Sequence, residues 1–246
     1  MIFSQPLNWW TPIGAAVMTL SFSSCATSQL DYVDESKVAA IKQPGSVAVI
    51  GLIARDSSCQ PTGRERQAIL NHLETKLSQK RRKLQVMSHS EFERKVGKPR
   101  SIGSGYTGSL SYALSSSQIS KAKASGATFG LVISLSKNKT WCDVGEACTT
   151  HEEPIYDKDG NEVDCKHWTE YTTTSYAYHS AKAEYLLYDL STGQKVWASS
   201  SDFSESNTRS SCSEVCYPPP PPHPAPPTLA DVMENMAAAA IRKYPR

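Results

Sequence analysis

The sequence predicts an α/β fold in which helices pack on one mixed five-stranded sheet, with elements in the order β-α-β-α-β-β-β-α. Two continuous apolar runs, 47–54 and 127–136, are typical of strands that helices cover on both faces. Apolar residues at helical spacing fall between these runs and again at the end of the chain, which predicts helices that alternate with strands. The alternation predicts parallel strands with right-handed crossovers, and a strand–turn–strand pattern over 171–201 predicts an antiparallel meander behind them.

Helices and one short strand are predicted between the two apolar runs. The first helix covers 63–80, residues 84–87 follow as a short strand, and a serine-capped helix then ends at Val96. After a stretch rich in glycine and serine, a helix over 117–125 ends before Gly126, a residue type that commonly stops helices. The first helix carries one apolar stripe, formed by Ile69, Leu70, Leu73 and Leu77.

The second half of the chain is predicted to form two strands and the last helix. The strand over 171–188 alternates its residues between two faces, a hairpin turns at 189–193, and the strand over 194–201 returns. Thr228 caps the last helix, and Asp231 three residues on completes a near capping box.

Two polar segments, 137–170 and 202–227, are predicted as insertions at one pole of the domain. The first contains a hairpin that turns at Asp159-Gly160, and the second contains the proline tract 218–222, which should be a stiff polyproline II segment. Because the strands before the cysteines end at the same sheet edge, we expect six cysteines to gather there. They are Cys59, Cys142, Cys148, Cys165, Cys212 and Cys216.

These cysteines favour disulfides, because an even number of cysteines is typical of disulfide bonds in proteins that reach an oxidising compartment. The two short spacings, Cys142 to Cys148 and Cys212 to Cys216, favour pairing within each pair and leave the other two cysteines for each other. The alternative is a metal site, because zinc takes cysteine and histidine ligands. The histidines near the cysteines in sequence are His151, His167 and His223. The spacings do not match the common C-x2-C zinc pattern but do not decide between the two; an oxidising compartment favours disulfides, so we predict no resident metal or cofactor.

The amino-terminal region has the features of an export signal. It carries no charged side chain over its first 24 residues, and its apolar run over 9–22 is too short to span a bilayer. Residues 22–25, Phe-Ser-Ser-Cys, resemble the lipobox of bacterial lipoproteins. The resemblance implies a signal peptide over 1–24 and lipid attachment at Cys25. An ordinary secretory signal cut after Ala26 is the alternative.

Residues 25–44 are polar and lack a clear period, so we predict a flexible tether in front of a single domain over 45–246.

The chain has 26 basic and 24 acidic residues, a net charge of +2 that does not call for a nucleic-acid partner. The GxGxxG match at 103–108 lacks the preceding strand that dinucleotide binding requires. No potential nucleophile lies at a sequence spacing from a potential general base that is typical of a catalytic site, so we predict that the protein is not an enzyme.

Three stretches resemble a superfamily of bacterial envelope lipoproteins that includes CsgG and LpoB and shares the fold of the TolB amino-terminal domain. They are 45–53, 125–134 and 183–197, the last containing Tyr-Asp-Leu-Ser-Thr-Gly-Gln-Lys-Val-Trp. The resemblance implies a protein that acts by binding envelope proteins or by forming homo-oligomers. A charged insertion after the third strand argues against a lipid-facing pore, and the short tether argues against reach across the periplasm.

Together these features predict a lipoprotein held by a lipid anchor on the periplasmic side of a membrane, with the outer membrane expected. Its partner would be an envelope protein or a second copy of the chain. The binding surface would be the disulfide-braced pole with the proline tract. A periplasmic metal-binding protein that uses the cysteines and histidines is the alternative function.

Overall fold

The computed structural model describes residues 26–43, 47–80, 86–101 and 108–245. The predicted signal peptide over 1–24 and the lipidation residue Cys25 lie outside the described residues. Within the described part of the chain, no helix combines the length and apolarity that a membrane span requires.

A mixed five-stranded sheet forms the centre of the fold, and helices pack on it, as predicted. Its strand order is β1-β5-β4-β3-β2. Strands β2 and β3 run parallel, as the alternating pattern predicts, whereas β1 runs antiparallel to β5. The strands are β1 (Thr27–Val33), β2 (Val47–Ala54), β3 (Phe129–Tyr156), β4 (Glu162–Asp189) and β5 (Lys195–Ser213).

Helices cover both faces of the sheet. Successive residues of β4 belong to different apolar clusters, Tyr185 and Leu187 to one and Leu186 and Tyr188 to the other, so the clusters lie on opposite faces. Helices α2 and α6 pack on each other in the first cluster, and α3, α4 and α5 contribute to the second. The helices are α1 (Val38–Ile41), α2 (Gly63–Lys80), α3 (His89–Val96), α4 (Leu110–Ala113), α5 (Ser116–Ala124) and α6 (Leu229–Arg242).

The caps predicted from sequence are present. Ser88 caps α3, and its hydroxyl accepts a hydrogen bond from the backbone N–H of Glu91. Thr228 and Asp231 form a full capping box at the start of α6. The last helix buries the stripe that its apolar spacing predicts: Leu229, Val232, Met233, Met236, Ala237, Ala240 and Ile241.

The predicted tether contains an edge strand. Residues 27–33 form β1, which pairs with β5 in a register that sets Thr27 opposite Asp202. A short 3-10 turn and α1 follow, and the Lys37 ammonium lies 3.0 Å from the buried carboxylate of Asp189. The prediction of a flexible tether was therefore wrong. Strand β1 lies at the edge of the sheet, is exposed over most of its length and carries polar residues. Its sequence thus lacks the alternation of apolar and polar residues that identifies a strand.

Of the short strand predicted at 84–87, only residues 86 and 87 are described. Met87 makes one isolated parallel bridge to Ala48. Among the described residues, the sheet takes its fifth strand from β1, which the predicted order of elements did not contain, so that order was wrong on this point.

The two predicted insertions continue the strands. Strands β3 and β4 are each 28 residues long and meet at a turn closed by a 2.8 Å hydrogen bond from Asp157 N–H to the Asn161 carbonyl, where the hairpin was predicted. The described chain divides into two compact units. We call residues 142–176 and 207–224 the cysteine unit, and the remaining described residues the core unit.

Candidate functional site

The cysteine unit concentrates the negative charge of the protein. Its residues include ten carboxylates against three lysine or arginine side chains, a net charge of −7. Because the whole chain carries +2, all other residues together carry +9. The small overall charge therefore conceals a strong segregation, which the average composition does not reveal.

Five of the six predicted disulfide candidates belong to the cysteine unit, and Cys59 belongs to the core unit. Cys59 is buried in a 3-10 turn after β2, and Cys165 is half-buried on β4. The others, Cys142, Cys148, Cys212 and Cys216, are exposed. All six are free thiols in the structure, so the disulfides and their pairing stay predictions.

Three ligand-type side chains meet on the β3–β4 hairpin. The Glu152 carboxylate, the Cys165 thiol and the His167 imidazole have ligand atoms that all lie within 4.8 Å of one another. His167 Nδ1 is 3.4 Å from Glu152 Oε1. Burial raises the pKa of the Cys165 thiol above its ordinary value, and the negative charges of the neighbouring carboxylates, Glu152 first among them, raise it further.

A second cluster combines aromatic and polar groups. His151 Nε2 lies 3.1 Å from Glu170 Oε2, and the His151 ring stacks on Trp168 with ring centres 5.1 Å apart. The Lys166 ammonium lies 5.2 Å from the centre of the same indole. Trp168 and Glu170 also line an open cavity of about 450 Å³ together with Cys212.

The proline tract is held along β4 by side-chain hydroxyls. Thr173 Oγ1 donates a hydrogen bond to the Pro218 carbonyl at 2.7 Å, and Ser175 Oγ donates one to the Pro221 carbonyl at 2.5 Å. Proline has no N–H, so the tract offers carbonyl acceptors but no backbone donors, and the hydroxyl donors on the adjacent strand supply partners for two of those carbonyls. Every third residue from 218 to 227 is less exposed than its neighbours, which is the three-residue repeat of a polyproline II helix.

Tyr217 precedes the prolines and packs edge-on against Tyr171, with ring centres 5.0 Å apart. A hydrogen bond with the Cys148 thiol is the main cause that raises the pKa of the Tyr217 hydroxyl above its ordinary value. These contacts, together with the two hydroxyl–carbonyl bonds, fix the segment from 217 to 221 within the cysteine unit.

His179 is a buried histidine of the core unit, with 5% of its surface exposed. Its Nδ1 donates to the Pro227 carbonyl at 2.7 Å, and its Nε2 lies 2.7 Å from the side-chain oxygen of Asn138. The ring therefore has a structural partner on each nitrogen.

Glu152 is absent from the ligands predicted from sequence because that prediction considered only cysteines and histidines. Cys165 and His167 are two residues apart, the spacing that puts side chains on one face of a strand. That signal is present in the sequence, but the partner from β3 is identified only by the hairpin register.

No protein-family model matches this chain, and no curated protein matches it in sequence. Among solved structures, the chain is similar to the PelC dodecamer from Paraburkholderia phytofirmans, with 11% identity, a TM-score of 0.41, and 89% of this chain and 97% of that chain covered. It is also similar to lipoprotein GNA1162 from Neisseria meningitidis, with 16% identity, a TM-score of 0.36, and 66% and 84% coverage.

Proposed function

We propose that this protein is a membrane-anchored periplasmic lipoprotein, without enzymatic activity, whose cysteine unit binds an envelope protein with a basic surface. The observation that carries the proposal is the net charge of −7 on this unit. The anchor at Cys25 rests on the sequence pattern of residues 22–25.

The negative charge of the cysteine unit determines which class of partner it binds. A surface with one sign of charge steers an oppositely charged partner and repels like-charged ones. Exposed apolar side chains on the same unit supply contact area that the long-range charge does not. They are Val144, Ile155, Tyr156, Val163, Val215 and Tyr217.

A fixed surface also favours binding, because a preordered partner loses less conformational entropy on association. The hydroxyls of Thr173 and Ser175 fix the proline segment, and the Tyr171–Tyr217 contact fixes its start. These hydrogen bonds hold the proline segment in place, a role that the sequence predicted for disulfides.

Two of the cysteines, Cys59 and Cys165, are poor candidates for a catalytic nucleophile. Burial raises the pKa of the Cys59 thiol, and burial with neighbouring carboxylates raises that of Cys165. A thiol with a raised pKa is mostly protonated near neutral pH and is therefore a weak nucleophile.

The test is a crosslinking pull-down from native membranes, with Cys25→Ser as the variant that lacks the anchor. Recovery of one envelope protein, reduced in that variant, is expected. Neutralising two exposed carboxylates of the cysteine unit with Glu153→Gln and Glu162→Gln should weaken recovery. The matched control, Glu35→Gln with Asp202→Asn, removes two exposed carboxylates from the core unit and should not.

Salt gives a second readout, because surface charges separated by more than about 10 Å are screened at 0.1 M ionic strength. Recovery should fall as salt rises. If only the protein itself is recovered, the partner is a second copy and the chain is a homo-oligomer. Equal recovery from both carboxylate variants would reject the cysteine unit as the binding surface.

A further inference from the structure

We propose that Glu152, Cys165 and His167 form a binding site for one divalent cation of the zinc class, with one coordination position open. The proposal is independent of the partner-binding function, since it concerns a single cluster on the β3–β4 hairpin. The observation that carries it is the meeting of a carboxylate, a thiol and an imidazole within 4.8 Å.

The three donors are the ligand types that zinc uses. Bond lengths of about 2.0–2.3 Å and tetrahedral angles put two ligand atoms on one zinc about 3.3–3.6 Å apart. The separation of 3.4 Å between His167 Nδ1 and Glu152 Oε1 already meets this requirement. The Cys165 thiol has to approach by at most about 1.2 to 1.5 Å from the 4.8 Å limit, which side-chain rotations on a fixed backbone provide.

The backbone positions these donors before any ion binds. Cys165 and His167 are alternate residues of β4 and therefore project from the same face. Glu152 comes from β3, the hydrogen-bonded neighbour of β4. Donors on two paired strands keep their spacing without a flexible loop.

The local charge favours a cation. Glu162 and Asp164 lie on β4 within three residues of Cys165 and add their negative charge to that of Glu152. The same field stabilises a bound divalent cation, which in turn displaces the thiol proton and gives a thiolate ligand. A thiol and an imidazole select zinc-class ions over magnesium and calcium, which prefer all-oxygen sites.

The simpler explanation for the contact between Glu152 and His167 is a surface ion pair, because their side chains are 68% and 57% exposed. An exposed pair of this kind contributes little to stability, and it does not explain the thiol beside it. The same exposure leaves room for a water or a donor from another molecule at the fourth position.

The experiment titrates Co²⁺ into the full chain, reduced with a phosphine that does not bind the metal, and follows the thiolate-to-cobalt charge-transfer band in the near ultraviolet. Competition with Zn²⁺ then reports relative affinity. Saturation at one Co²⁺ per chain with this band is expected, and Zn²⁺ should abolish it.

Variants assign the ligands. Cys165→Ser should remove the charge-transfer band. Glu152→Gln and His167→Gln should each weaken binding at least about tenfold, since even residues behind metal ligands change affinity by that much. The matched controls are Cys212→Ser, an exposed cysteine of the same unit, and His151→Gln, which pairs with Glu170 instead; both should bind within about twofold of the parent.

A band that survives Cys165→Ser would overturn the site, and so would equal losses in the ligand and control variants, which would indicate nonspecific binding by free thiols. Absence of any band in the reduced parent would overturn it as well. Circular dichroism of each variant separates loss of a ligand from loss of the fold.

Discussion

The docking of β1 on β5 depends on buried serine hydroxyls, and this leads to a quantitative prediction for Ser199→Ala with Ser201→Ala. Ser199 is fully buried, donates to the Gln29 carbonyl at 2.8 Å, and has its oxygen 2.7 Å from that of Ser28. Ser201 donates to the Thr27 carbonyl at 2.8 Å. Because β1 exposes most of its residues, these hydrogen bonds contribute a large part of what holds it.

Each hydroxyl removed from a buried pair costs about 1–1.5 kcal/mol, so the double variant should lower the free energy of opening β1 by about 2–3 kcal/mol. At 25 °C this makes amide hydrogen exchange in β1 about 30- to 160-fold faster wherever exchange follows local opening. Exchange followed by mass spectrometry over peptides that cover 27–33 measures it. Peptides from β2 should change much less.

The control is Ser117→Ala, which removes an exposed hydroxyl from α5 and should leave exchange in β1 unchanged. Two results would refute the reasoning. If the amides over 27–33 exchange without protection in the parent protein, this segment is a flexible tether, as the sequence predicted. Unchanged exchange in the double variant would mean that the backbone ladder alone holds β1.

Three further predictions follow from single contacts. Hydrogen bonds from Ser191 and the ammonium of Lys37 outweigh the effect of burial and lower the pKa of Asp189. The carboxylate's contribution to stability is therefore present above its unfolded pKa of about 3.9 and is lost as pH falls toward the lower folded value. The difference in urea unfolding between the parent and Asp189→Asn should be full at pH 7 and shrink progressively as the pH falls below about 4; a pH-independent difference would contradict this. Gly51 has φ +152°, and a Cβ there would lie 3.2 Å from a ring carbon of His89, so Gly51→Ala should cost about 1–3 kcal/mol, measured as a lower Tm. Replacing Thr173 by Val and Ser175 by Ala removes both hydroxyls from the proline carbonyls and should lower the free energy of unfolding by about 2 kcal/mol; no change would show that water replaces them without cost.

Helical elements of the core unit could be predicted well because local rules decide them. The spacing of Leu70, Leu73 and Leu77 predicts the helix over 63–80, and α2 has those bounds. The capping box at Thr228 likewise predicts the start of α6. Both signals lie within one or two helical turns, so neighbouring residues are sufficient to determine them.

The hairpin turn of the cysteine unit was predicted, but the length of its strands was not, for a physical reason. Residues 142–156 of β3 are almost all exposed, so neither face selects apolar residues and no period of two marks the strand. The same holds for β1. Polar strands with solvent on both sides look like loops in sequence, although backbone pairing makes them regular.

The sequence by itself determined the α/β class, the parallel pair of apolar strands, the helices that cover them, and the cysteine, histidine and carboxylate residues available for chemistry. Only the tertiary structure decided which of these residues meet. Glu152 and Cys165 are separated along the chain, and the pairing of β3 with β4 brings them together. The physical reason is that hydrophobic period and capping are local properties of a chain, whereas strand register and charge segregation arise from pairings between distant segments.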